Sequence, residues 1–399
     1  MAQVATCTFA EARAMVVERL LSGRRLSKET IALKDASGRV LAEPVLADRD
    51  YPPLARSIRD GFALRASDLP GTLEIIGEVA AGATFDGRVE AGQCVEIMTG
   101  APVPEGADAV VMVEHTHVDG TRMTTERTPR PGEFINPRAS EAKRGQEMVQ
   151  AARRLDYPRI AMAATVGMQE LEVFRRPRVA VLSTGDEVVP LEQTPEANQV
   201  RNSNAWSLAV QVERAGGVPD ILEVARDNYE STRGLVERGL QYDLLLLSGG
   251  VSAGKYDIVE RVLGDCGAEF YFDRVLIQPG QPLVFGRAQG TFFFGLPGNP
   301  ASTMVTFELF GRAAVELLAG QCESLLPLPS ARLTREFRHK TGLTRFLPAQ
   351  LSTDGAQVTP MPWQGSSDVP ALSRANAFLV AASDREHYSA GDWIQILLR

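Results

Sequence analysis

DLLLLSGGVSAGKYD, residues 243–257, opens with four consecutive leucines after its aspartate. The run is too short and too uniformly apolar for an amphipathic helix. It reads as a strand buried on both faces of a parallel sheet. It then breaks into Ser248-Gly249-Gly250-Val251-Ser252-Ala253-Gly254, where backbone N–H groups and hydroxyls stand clear of bulky side chains. That composition suits an anionic ligand at the carboxyl end of a strand. Asp257, three residues past the last glycine, is placed to hold a cation against the same ligand.

Outward from this turn the chain alternates strand and helix. RVAVLS (178–183) predicts a buried strand ending in Thr184-Gly185-Asp186-Glu187. Ser203 or Asn204 is placed to cap a helix over 205–215 that Gly216 closes. A strand VPDILEV, a helix over 229–240, a helix over 256–263 and an extended segment over 269–277 follow. TFFFG (291–295) reads as a strand, and Leu296-Pro297-Gly298-Asn299-Pro300 leads into a helix with Asn299 at the N-cap. This alternation predicts a doubly wound α/β domain over 177–327.

The flanks differ. Thr8 and Glu11 have the capping-box spacing, opening a helix to about residue 21 with Ala12, Val16 and Leu20 on its apolar face. The segment 31–45 is strand-like. From 72 to 117 short strands are broken by glycine, and 129–145 is polar and rich in Pro and Gly. Helical character returns at 157–167, so a β domain (47–139) is expected as an insertion into an N-terminal linear domain (1–46 and 140–176). The end of the chain, 328–399, returns to short strands, the pattern of a small β barrel or sandwich. The fold class is thus multidomain α/β plus β. His115 and His117 are read as alternating on a strand and, with no third ligand nearby, as surface histidines; Trp363 and Trp393 are read as core or domain-interface residues.

A chain of 399 residues exceeds one hydrophobic core. Its net charge of −8 speaks against a general nucleic-acid or acidic-membrane binder. Cys7, Cys94, Cys266 and Cys322 are scattered, which fits free thiols in a reducing compartment. No secretory leader or membrane-spanning run is read, so a cytoplasmic protein is expected.

Three turns share one form, an apolar strand followed by small or acidic residues: 183–187, 248–257 and 296–302. One such turn is what any α/β protein needs to cap its helices. Three at the carboxyl edge of one sheet point to a phosphate-and-metal site. Glu187 and Asp257 supply hard oxygen ligands for Mg²⁺, with Asp186 and Asp227 as further candidates. Glycine amides and the helix start at Asn299 would take anionic oxygens. P-loop and dinucleotide fingerprints are absent, as is a nucleophile elbow.

Six motifs in order, RDGFA (59–63), IMTGAPVPEGAD (97–108), STGDE (183–187), SGGVSAGKYD (248–257), QPGQPLVFG (278–286) and GLPGNPAS (295–302), resemble the molybdopterin molybdenumtransferases, the gephyrin E-domain family. The resemblance spans essentially the whole chain. It implies a homodimer of four-domain subunits that converts adenylylated molybdopterin and molybdate, with Mg²⁺, to molybdenum cofactor and AMP. It implies that Asp60 and Thr99 reach the cleft from the partner chain, and that Glu187, Asp227 and Asp257 stand near nucleotide and metal. Ser183, Thr184, Gly185, Asp186, Ser248, Gly249, Gly250, Ser252, Pro297, Gly298 and Asn299 would hold the pterin and the AMP phosphate. Gln278, Pro279, Ser302, Arg345 and Ser366 would form the molybdate pocket, with Arg345 the main oxyanion clamp.

The chain departs from the family pattern at Gln278 and Gln281, where lysines are common, and at Arg59, where methionine is usual; Arg59, Lys255 and Arg274 are candidates to compensate. Two other functions compete. One is a scaffold of the gephyrin type without turnover, tested by pull-down with and without the N-terminal unit. The other is the upstream molybdopterin adenylyltransferase, tested by ATP consumption. Such an adenylyltransferase and molybdoenzyme chaperones are the expected partners.

Overall fold

The computed structural model describes residues 5–23, 26–250 and 258–399. Among these, the leucine strand Leu244–Ser248 is fully buried and lies near the middle of a seven-stranded sheet. The sheet order is Ala5–Cys7, Glu269–Val275, Pro282–Ala288, Thr291–Leu296, Leu244–Ser248, Arg178–Ser183, Val218–Ile221. Leu244–Ser248 pairs in parallel with Arg178–Ser183 on one side and Thr291–Leu296 on the other, so Ser183, Ser248 and Leu296 stand in register. Three strands therefore end together, and the three turns read from the sequence leave from one edge.

The sheet is not parallel throughout. Pro282–Ala288 runs antiparallel to both neighbours and makes a hairpin with Thr291–Leu296 through Gln289-Gly290, both at positive φ. The sequence reading missed this strand because QPGQPLVFG begins with two X-Pro steps that look like loop. Its reward is aromatic: Phe285 stacks on Phe294 across the ladder, with centroids 4.6 Å apart.

Helix Phe9–Leu21 begins at Thr8 with the capping box in place. Its buried face, Ala12, Val16 and Leu20, joins the core beneath the seven-stranded sheet. The first helix thus packs with the α/β unit, although the sequence grouped residues 1–46 with the linear unit. That unit has its own core around Leu41, Val149, Leu171 and Val173. Its helix Tyr157–Thr165 starts at an Asp156 cap. The segment 31–45 is broken: Lys28–Ala32 is followed by a 3-10 turn, Leu33–Asp35, before Val40–Leu41 and Val45–Leu46. Val45–Leu46 pairs with Glu147–Val149. The chain leaves this unit at the first of these strands and re-enters at the second. Between them lies a six-stranded sheet built from 61–125. There His115 closes the 3-10 turn Val113–His115 and only His117 starts a strand, so the two histidines do not alternate on one strand.

In the C-terminal region Thr344–Leu351, Gln357–Pro360, Ser330–Leu333, Trp393–Leu398 and Ala377–Ala381 close on one another as a five-strand barrel. Ile277–Gln278, from the α/β unit, adds to the barrel strand in parallel, placing Gln278 opposite Arg345. Trp363 packs against the main core, but Trp393 is 58% exposed on the barrel with Arg332 over its ring, contrary to the core or interface reading. Among the described residues no helix is long and apolar enough to cross a membrane.

Candidate functional site

The carboxyl edge of the sheet opens into a cleft of about 810 Å³. Ser183, Thr184, Gly185, Glu187, Asp227, Ser248, Gly249, Gly250, Pro297, Gly298 and Asn299 all line it. Asp186 is not in the lining; its side chain and amide are exchanged with Asp227, through Asp186 N to Asp227 Oδ2 (3.2 Å) and Asp227 N to Asp186 Oδ1 (3.3 Å). Ser252 and Asp257 lie outside the described residues.

Backbone geometry explains the first turn. Gly185 has φ +133°, and a Cβ there would fall 2.4 Å from Glu187 Oε2. The carboxylate therefore occupies the space the missing side chain leaves, folded back over the turn. Val200 N donates to Glu187 O at 2.8 Å and fixes the residue's backbone. Glu187 and Asp227 are both exposed to the cleft.

The expected amide cradle is partly consumed by the sheet. Thr184 N donates to Ser248 O (3.1 Å), Gly185 N to Ala225 O (3.1 Å) and Gly249 N to Leu296 O (3.1 Å). Ser183 is likewise committed: its hydroxyl, 2% exposed, donates to Asn202 Oδ1 at 2.9 Å. These four groups build the cleft and have no proton left for a ligand. Among the described residues Thr184 Oγ1 is buried without a hydrogen-bond partner. Asn299 sits at the N-cap position before Pro300, as expected, but its side chain makes no capping bond.

The sequence missed Asn202 and Arg201. Asn202, not Ser203 or Asn204, caps helix Ser203–Ala215 by accepting from Ala205 N. Arg201 is the one cation among the described lining residues, oriented by its Nε, which donates to Leu191 O (3.1 Å) and Gln193 O (3.2 Å). The signal for both was available. In a parallel sheet the residues preceding a crossover helix lie on the same edge as the strand ends.

The five residues of the expected molybdate pocket are not in this lining. Ser366 O accepts from Ala301 N at 2.8 Å, and its neighbour Ser367 lines the cleft. Gly280, at φ +102°, presses on the helix that starts at Pro300: a Cβ there would lie 2.4 Å from Thr306 Cγ2 and 3.6 Å from Ser302 O. Gly280 thus packs against the helix that carries buried Ser302, and Gln278 pairs with Arg345. Arg345 is half-buried, with Nε donating to Lys340 O at 3.3 Å. Next to it, His339 is 8% exposed, and its Nδ1 lies 3.1 Å from the same Lys340 carbonyl. Burial first, and then the Arg345 charge, hold the His339 ring below the usual histidine range.

Asp60 and Thr99 find each other instead. Thr99 N and Oγ1 donate to Asp60 Oδ1 at 2.6 and 2.9 Å, and these bonds hold the Asp60 carboxyl below its ordinary value. Neither lines the cleft of its own chain. Arg59 places its guanidinium 5.9 Å from the centre of the Phe134 ring.

As a donor set, Glu187 and Asp227 fit Mg²⁺, which is commonly held by one or two carboxylates plus water and ligand phosphate. Among the described residues no group of three His, Cys, Asp or Glu converges as a closed cage.

Three family models match in order along the chain. These are the MoeA N-terminal region (domain I and II) over 7–167, a probable molybdopterin binding domain over 180–317 and the MoeA C-terminal region (domain IV) over 330–398. A molybdopterin molybdenumtransferase of Staphylococcus epidermidis is 32% identical over 378 residues, covering 92% of this chain and 90% of that protein. One of Bacillus subtilis is 33% identical over 386 residues, covering 93% and 89%. Among solved structures, a molybdopterin biosynthesis MoeA protein of Pyrococcus horikoshii superposes with a TM-score of 0.83 at 25% identity, over 99% of this chain and 100% of that one.

Proposed function

The chain belongs to the molybdopterin molybdenumtransferase family, and from that premise we propose how its cleft works. It is a transferase of molybdenum cofactor biosynthesis that inserts molybdenum into molybdopterin. The substrate is the adenylylated pterin, molybdate is the second substrate, and AMP leaves.

The phosphates lie across the strand ends, against the Ser248 hydroxyl and the 297–299 turn, with Arg201 over them. Glu187 and Asp227, with Asp257 from outside the described residues, would hold Mg²⁺. The ion supplies charge neutralisation and alignment for cleavage of a phosphoanhydride. Molybdate, a tetrahedral dianion, sits at the junction of barrel and α/β unit. Arg345 is its clamp, and Ser302, Ser366 and the Gln278-Pro279 backbone shape its pocket. A second copy of the chain brings Asp60 and Thr99 to the open side of the cleft, so the working unit is a homodimer.

One observation carries this reading: three in-register strand ends deliver Glu187, Ser248 and the Pro297 turn to one cleft, and barrel strand Thr344–Leu351 is stitched to the same unit through Gln278. The test is incubation with adenylylated molybdopterin, Mg²⁺ and molybdate. AMP release matched to molybdenum incorporation supports the reading. Incorporation without AMP, or consumption of ATP, contradicts it.

A further inference from the structure

We propose that Asn204 is a positioning residue that turns the Ser248 hydroxyl into a dedicated donor for a phosphate oxygen.

Asn204 stands in the first turn of helix Ser203–Ala215 and lines the cleft. Its Nδ2 donates to Gly298 O at 2.7 Å and to Ser248 Oγ at 2.9 Å. Because Gly298 O can only accept, the orientation of the amide is set: the nitrogen faces both turns. Both Nδ2 protons are thereby used. Ser248 Oγ receives one of them, so its own proton is free to be given away. The arrangement is kept even though, among the described residues, Asn204 Oδ1 is buried without a hydrogen-bond partner. A side chain needed only to fill space or cap the helix would not leave a carbonyl stranded, and the cap is in any case Asn202.

The contrast with Ser183 sharpens the point. Ser183 and Ser248 stand opposite each other in the ladder, each at a strand end. The Ser183 proton is spent on Asn202 Oδ1, whereas the Ser248 oxygen is approached by an amide donor. Two asparagines one residue apart on either side of Ser203 therefore give two equivalent serines opposite polarity. Only one of them offers a proton to the cleft.

This inference rests on the proposal that a phosphate lies at the Ser248 turn, and the test separates the two. AMP is titrated calorimetrically into the full-length protein with Mg²⁺, using Asn204→Ala, Asn204→Asp, Ser248→Ala and the double variant Asn204→Ala/Ser248→Ala. Asn204→Asp keeps the shape and removes the donor but adds a negative charge beside the phosphate, so Asn204→Ala, which adds none, must weaken AMP as well. Asn204→Asp, Asn204→Ala and Ser248→Ala should each weaken AMP about tenfold, the scale of one hydrogen bond to a charged group. The double variant should be no weaker than Ser248→Ala alone, because the two act through one hydroxyl. Unchanged AMP affinity in Ser248→Ala overturns the phosphate reading itself. Weakened binding in Ser248→Ala with unchanged binding in Asn204→Ala or Asn204→Asp, or additive losses in the double variant, overturns the role of Asn204 alone.

Discussion

The cleft of the α/β unit and the Asp60–Thr99 loop of the inserted sheet carry similar chemistry in opposite states. In the cleft, Glu187 and Asp227 are exposed, and among the described residues Thr184 Oγ1 and Asn204 Oδ1 are buried without partners. At the loop, one carboxylate oxygen accepts two donors from Thr99, and the pair is closed on itself. On the proposed function, the region that receives the ligand is left incompletely bonded among the described residues. On the proposed homodimer, the loop carried to the partner's cleft is rigidified first, so that it arrives in one geometry.

The sharpest way to break this contrast is to remove charge from each side. Glu187→Gln should lower molybdenum insertion at least ~100-fold, the scale for losing a group that holds or orients a metal. Its effect on melting temperature should be small, because the carboxylate is exposed. Asp60→Ala should also lose activity, but mixing is the decisive step. Hybrid dimers of Asp60→Ala and Glu187→Gln chains should recover activity that neither parent has, since one intact cleft is then formed from two chains. No recovery above the parents would place both residues in one chain's site, or make Asp60 purely structural.

Arg345→Ala should raise the molybdate concentration for half-maximal rate about tenfold while leaving AMP binding unchanged. A change in both would merge the two subsites that the proposal keeps distinct. The neighbouring His339 adds a pH dependence. Its folded pKa lies below the ordinary histidine value, so in this range the unfolded chain binds more protons. Stability is therefore lost as pH falls below about 6.5 towards the folded value. Thermal melts of His339→Phe should show less of this slope between pH 7 and 5 than the parent; an unchanged slope would contradict it. The smallest effect expected is Gln278→Lys, which sets a cation beside Arg345 and should lower the molybdate requirement several-fold.

How much of this could be read from the sequence follows the range of the forces involved. The leucine strand, the capping box at Thr8 and the glycine-softened strand ends are local signals, and the structure places them as expected. Strand Pro282–Ala288 was hidden because prolines mask it, and its stabilisation comes from Phe285 stacking on residues reached only after folding. The placement of helix Phe9–Leu21 on the α/β core is likewise a packing outcome, since its apolar face fits either neighbour in sequence. In the site, residue types with one role were found and residues with two were not. Asn202 and Asn204 look like helix caps, and only the sheet register shows which serine each one addresses. The glycine amides were over-read for the same reason: Gly249 N looks free in sequence but belongs to the ladder through Leu296 O.

On the proposed function, one cleft, at the edge where three strands end, holds the nucleotide-tagged pterin while the barrel presents molybdate to it. A crystal structure of the protein with AMP, Mg²⁺ and molybdate tests it most directly. The AMP phosphate is expected within hydrogen-bond distance of Ser248 Oγ, with a cation at the Glu187 carboxylate and the oxyanion against Arg345. A phosphate bound away from the Ser248 and Gly298 turns, with Glu187 facing only solvent, would contradict it.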